Sequence, residues 1–71
     1  MSAHVLVADD EALILQSLRG VLLQEGFEVT AASSGEQAWQ TFVATRPDVV
    51  LLDLVLGDIT GIDVLRRIRQ L

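Results

Sequence analysis

His4-Val-Leu-Val-Ala-Asp-Asp-Glu11 is a short apolar run, rich in valine, that stops at three successive carboxylates. Its apolar residues are consecutive rather than alternating. A run of this length and type reads as a strand buried on both faces, as in a parallel sheet. The same pattern returns at Asp48-Val-Val-Leu-Leu-Asp53, another doubly apolar strand that ends in a carboxylate.

Between these two strands the periodicity changes. From Ala12 to Glu25, Ile14, Leu15, Leu18, Val21 and Leu22 recur at helical spacing, and Gly26 follows as a C-terminal cap. Gly20 weakens this helix by up to ~1 kcal/mol relative to alanine. Phe27 to Ala31 alternates with period two, which predicts a half-exposed edge strand. Ser33 and Glu36 form a capping-box pattern ahead of a second helix carrying Ala38, Trp39, Phe42 and Val43. Pro47 ends that helix, because the residue before a proline is pushed out of helical geometry. After a loop around Gly57 and Asp58, Thr60 and Asp63 form a third capping pattern. A last helix follows, with Ile62, Leu65 and Ile68 on one face and Arg66, Arg67 and Arg69 largely off it.

The order β-α-β-α-β-α with short connections implies an α/β fold with a parallel sheet and right-handed crossovers. Strand two reads as an edge, so the expected strand order is 2-1-3. In such open sheets ligands bind beyond the C-terminal strand ends, where the order reverses. Here that point lies between strands one and three, and Asp9, Asp10 and Asp53 stand at it. Crowded carboxylates repel one another unless one protonates or a cation offsets them. A hard divalent cation suits all-oxygen ligands. Magnesium in particular binds through one or two carboxylates beside a phosphate. The bland alternative is that these aspartates cap helices or end strands in solvent.

Composition narrows the rest. The chain has 71 residues, a net charge of -5, 51% hydrophobic residues and no cysteine. A single small domain burying only ~60% of its unfolded surface has a thin stability margin. Without cysteine there is no disulfide and no thiolate chemistry. All five basic residues are arginine, so no Gly-Lys-Ser/Thr phosphate loop exists and no nucleotide hydrolase of that kind fits. The negative charge argues against nucleic-acid binding, which rests on cations. The chain lacks an apolar run near the ~20 residues of a membrane span, and it lacks a secretory leader pattern. A cytoplasmic module with no membrane contact is the expectation. A phosphatase of the Asp-x-Asp type fails because position 55 is Val, and Gly-x-Gly-x-x-Gly is absent.

Val7-Ala-Asp-Asp-Glu11, Gly35-Glu-Gln-Ala38 and Arg46-Pro-Asp-Val-Val-Leu-Leu-Asp-Leu54, followed by Gly61, together resemble the receiver domain of two-component response regulators. The resemblance implies a truncated flavodoxin-like unit over residues 1–71, comprising the first three βα units. It implies Asp53 as the acceptor of a phosphoryl group from a sensor histidine kinase. It also implies a Mg2+ site at Asp9, Asp10 and Asp53, with Asp10 binding directly, Asp9 mainly through water, and the backbone carbonyl of Val55 completing the protein ligands. The family usually has proline where this chain has Gly57, which is expected to loosen the loop. Its hydroxyl residue after strand four and lysine after strand five have no counterpart here.

The remaining residues read plainly. His4 is expected at the surface, at the end of the sheet opposite the carboxylates. Trp39 and Phe42 are expected to pack, and the three late arginines to be solvated and to favour the helix C-terminal dipole. Asp58 and Thr60 are expected to shape the loop and cap, with a role beside Asp53 as the sharper alternative. Strand three is apolar on both faces yet becomes an edge in order 2-1-3. Such an edge invites pairing, so a homo-oligomer through the third strand is expected. The alternative function is a phosphorylation-incompetent receiver that serves as an interaction or oligomerisation module.

Overall fold

The computed structural model describes residues 2–71. The elements are β1 (His4–Ala8), α1 (Ala12–Gln24), β2 (Glu28–Ala32), α2 (Gly35–Thr45), β3 (Val49–Leu52) and α3 (Gly61–Arg69). The three strands form one parallel sheet in the order β2-β1-β3, as the sequence pattern predicts. In β1, Val5 to Ala8 are all buried because the strand is covered on both faces and paired on both edges.

Register places the site. Ala8 stands beside Ala32 on one side and Leu52 on the other. The ladder runs one step further, with the Asp53 amide donating to the Ala8 carbonyl at 3.0 Å and the Asp9 amide to the Ala32 carbonyl at 3.1 Å. Asp9 and Asp53 therefore emerge side by side at the C-terminal edge of the sheet.

The chain turns in opposite directions on leaving β1 for β2 and on leaving β2 for β3. With right-handed crossovers this sets α1 on one face and α2 on the other. The core follows that division. Leu6 and Ala8 of β1 join Ala32, Ala38, Leu56 and Val64 in one buried cluster, with Phe42 and Ile68 packed against it. Val5 and Val7 point to the opposite face, since strand side chains alternate. Among the described residues α1 alone covers that face, and no residue of α1 is fully buried.

Local signals shift at three points. The N-cap of α2 is Ser34, not Ser33. Ser34 Oγ accepts from the Gln37 amide at 3.1 Å, and Gln37 Oε1 accepts from the Ser33 amide at 2.7 Å. Gln37 thus takes the place expected of Glu36, though it accepts from the residue before the N-cap, while the Glu36 side chain pairs with Arg67 of α3 at 3.3 Å. In α3 the buried positions are Gly61 and Val64, with Ile68 half-buried, whereas Ile62 and Leu65 are exposed. Gly61 sets this rotation by lying against the end of β3, where an added Cβ would meet the Asp53 carbonyl group and Leu54 Cα. Third, β3 is half-exposed rather than buried on both faces.

Other signals hold. Gly26, at φ 92, ends α1 in a Schellman motif, with Gly26 N–H bonded to the Leu23 carbonyl and Phe27 N–H to the Leu22 carbonyl. Thr60 caps α3, its Oγ1 accepting from the Asp63 amide at 3.2 Å. Arg46, before Pro47, leaves the helix at φ 45.

Candidate metal and phosphoryl site

Two neighbouring strands bring the acidic residues together. Asp9 and Asp10 follow β1, and Asp53 follows β3. One carboxylate oxygen from each lies within 4.8 Å of the others, with Asp9 and Asp53 half-buried and Asp10 exposed. Oxygens around an octahedral ion at ~2.1 Å lie up to roughly 4.2 Å apart. The three carboxylates thus stand at a spacing comparable to that of one ion's ligand shell.

These carboxylates are not consumed elsewhere. Asp9 Oδ1 accepts from the Glu11 amide at 2.9 Å, and Asp53 Oδ1 from the Val55 amide at a long 3.3 Å. The N-cap of α1 is Glu11, which makes no side-chain capping bond. Asp10 makes no side-chain hydrogen bond among the described residues, so it does not act as a helix cap. The ion pairs among the described residues, Arg66–Asp63 and Arg67–Glu36, lie on α3 and α2. Nothing cationic among them offsets the cluster. An all-oxygen, hard, uncompensated donor set fits a divalent cation of the magnesium type.

The loop between β3 and α3 lies over the cluster. A Cβ at Gly57 would stand 3.8 Å from Asp10 Oδ2, and Gly57 has φ 84. The Val55 side chain is exposed. The Gly61 amide closes the base of the loop by donating to the Leu54 carbonyl at 3.0 Å.

Residues expected elsewhere are found away from this cluster. His4 is half-buried rather than free at the surface. Its Nε2 lies 2.7 Å from Thr30 Oγ1 across the sheet, and its amide donates to Asp48 at 2.8 Å. Trp39 and Phe42 stack at 6.3 Å, and Arg67 lies over the Trp39 ring at 5.9 Å. Arg67 therefore ties α3 to α2 rather than standing free in solvent.

One feature escaped the sequence pattern. The Asp58 carboxylate crosses to the start of α2. Its Oδ1 accepts from the Gly35 amide at 2.8 Å and its Oδ2 from the Glu36 amide at 3.0 Å. Amide donors of Glu36, Ile59 and Gly35 hold its carboxyl down to about 2. An aspartate 23 residues from its partner gives no local signal, whereas Thr60 and Asp63 signal by spacing.

The fold is a three-stranded parallel α/β unit with an acidic cleft at its topological switch point, the place where open sheets of this class bind ligands. Residues 5–71 match the model of the response regulator receiver domain. The chain belongs to that family, a family of signalling modules of two-component systems. Among curated relatives, it is 49% identical over 65 residues to the transcriptional regulatory protein KdpE of Mycobacterium tuberculosis, covering 92% of this chain and 29% of that protein. It is 44% identical over 69 residues to the DNA-binding response regulator MtrA of Mycobacterium leprae, covering 97% and 31%. The chain thus spans under a third of the length of these relatives. Among solved structures, a putative response regulator from Chloroflexus aurantiacus superposes with TM-score 0.94 at 34% identity, covering all of this chain and 58% of that one. TrrA from Thermotoga maritima, solved in complex with Mg2+ and BeF, gives TM-score 0.91 at 37% identity, covering 99% and 60%. No helix among the described residues is long and apolar enough to cross a membrane.

Proposed function

We propose that residues 1–71 are the first three βα units of a cytoplasmic receiver, with Asp53 as the phosphoryl acceptor and Asp9, Asp10, Asp53 and the Val55 carbonyl as the magnesium site. The observation that carries this reading is the convergence of the three carboxylates within 4.8 Å of one another at the β1/β3 switch point. The donor is the phosphohistidine of a sensor histidine kinase. An Asp53 oxygen attacks phosphorus, the O–P bond forms and the P–N bond breaks. The imidazole leaves with the bonding pair and takes up a proton. Magnesium, when bound, offsets the charge shared by nucleophile and phosphoryl oxygens and aligns them.

The chain's own residues do the rest. The pairing of Asp53 N–H to Ala8 carbonyl holds the acceptor at the strand end. The Val55 amide at Asp53 Oδ1 leaves the second oxygen to react. The acyl phosphate carries roughly -1.5 to -2 charge and strong acceptor oxygens where the carboxylate carried -1, enough to bias a nearby two-state element.

The test is incubation with magnesium and acetyl phosphate, or with beryllofluoride, read by mass and by Trp39 fluorescence. Phosphorylation predicts a mass gain that Asp53→Asn abolishes. A native chain that behaves like Asp53→Asn refutes it. A second reading, an interaction module without switching, is favoured by the unpaired β3 edge, where Val49 and Leu51 are exposed. It predicts self-association that is indifferent to Asp53→Asn.

A further inference from the structure

The loop from Asp53 to Thr60 has no regular structure. Gly57 sits in it at φ 84, a left-handed conformation that proline cannot adopt and that glycine holds with the largest loss of freedom. Read from Gly57 alone, the segment over the acidic cluster is loosely held. The structure fastens it from the far side. Gly35 and Glu36 open α2, and the first amides of a helix have no intrahelical partner. The Asp58 carboxylate takes one of them on each oxygen, at 2.8 and 3.0 Å. Such bonds are charge-assisted and lie at the positive end of the helix dipole.

Packing closes the same joint. A Cβ at Gly35 would meet the Ile59 side chain, would lie 2.9 Å from the Ile59 carbonyl and 3.1 Å from Asp58 Oδ1. The half-buried Ile59 packs against the core cluster. The loop tip and the start of α2 therefore touch with no room for a side chain between them.

We infer that Asp58 is a positioning residue for the acidic site: its carboxylate locks the β3–α3 loop to the N-terminus of α2, and so sets where Val55 and Gly57 stand relative to Asp10 and Asp53. What is positioned rests on the magnesium reading above, but the lock itself needs no metal. The loop is held at its base by Gly61 N–H on the Leu54 carbonyl and at its tip by Asp58. Coupling through such a joint is reciprocal. An ion that draws on Val55 registers at the Gly35 and Glu36 amides.

The experiment uses the whole 71-residue chain, labelled with 15N, first metal-free and then titrated with magnesium chloride. Asp58→Ala is compared with Asp58→Asn, which keeps an acceptor oxygen and the side-chain size. Without metal, Asp58→Ala speeds amide exchange at Gly35, Glu36, Val55 and Gly57 by about tenfold relative to β1 amides, and Asp58→Asn falls between it and the native chain. With magnesium, Asp58→Ala weakens binding by about tenfold, and the Gly35 and Glu36 resonances cease to follow the titration. Unchanged exchange at these four amides overturns the lock. Faster exchange with undiminished magnesium affinity overturns the positioning role. A native chain without any magnesium-dependent shift at Asp9, Asp10 or Asp53 overturns the magnesium reading and the positioning role with it, while the exchange data still decide the lock.

Discussion

A methyl group at position 61 would occupy the space of the Asp53 carbonyl, with Leu54 Cα 2.9 Å away. Both neighbours are backbone, so neither can rotate aside. Gly61→Ala is expected to push α3 off the end of β3 and to cost about 1–3 kcal/mol, as overpacking does. A urea midpoint equal to that of the native chain would contradict this. Asp58 gives a second prediction at this scale. Its carboxyl sits at about 2 against an ordinary 3.8, because the Glu36, Ile59 and Gly35 amides favour the charged form. The folded value is the lower one, so the stabilisation is fully present above about pH 4 and is lost as pH falls through about 2. The groups that hold it are backbone amides, whose donors do not titrate in this range, with burial as the opposing influence. The difference in stability between the native chain and Asp58→Asn should shrink steadily from pH 4 to pH 2. A difference that stays constant over that range rules the linkage out.

At the scale of elements, caps decide where helices begin. Ser34→Ala removes the acceptor for the Gln37 amide and is expected to lower stability by about 1 kcal/mol. Ser33→Ala leaves that cap intact and loses only an exposed hydroxyl contact to Gln37 Oε1. Thermal melts that rank Ser33→Ala as the more damaging change would overturn this assignment. The same pair shows how much of the fold is legible in sequence. Strand order, parallel pairing and the placing of Asp9, Asp10 and Asp53 at the switch point all follow from apolar runs that stop at carboxylates. Those signals are local and repeated. The one-residue shift to Ser34, the burial of Val64 in place of Ile62 and Leu65, and the Asp58 joint are not legible. Each goes with a contact between elements distant in sequence: Glu36 with Arg67, Gly61 with Asp53, and Asp58 with Gly35. Periodicity reports that a helix has an apolar stripe. It does not report which part of the stripe a neighbouring backbone will press upon.

The whole molecule is most unequal across its sheet. One face is closed by α2 and α3 over a continuous cluster. The other carries α1 alone among the described residues. There Val7, Ile14, Leu18 and Leu51 line an apolar trough of about 550 Å³ that runs up to Asp9 and Asp53. The accessible surface of 4635 Å² exceeds the roughly 4,300 Å² of a compact monomer of this mass. The trough borders the free edge of β3, where Val49 is 46% and Leu51 40% exposed. These two residues are register partners of the buried Val5 and Val7, so they share that face and are apolar because of it. Their exposure arises because, among the described residues, β3 has β1 as its one strand neighbour. An edge of this kind has unpaired amides and carbonyls beside apolar side chains, with no lysine or proline in the strand to block pairing. Edge-to-edge pairing of two copies would satisfy the free backbone groups of both strands and cover the exposed valine and leucine. Sedimentation at micromolar concentration is therefore expected to find the native chain associated. Val49→Lys, which places a charge on the edge, should shift it towards monomer while the magnesium-dependent shifts at Asp9 and Asp53 persist. A native chain that sediments as a folded monomer would refute pairing through β3. Association that Val49→Lys leaves untouched would move the contact from the β3 edge to another surface.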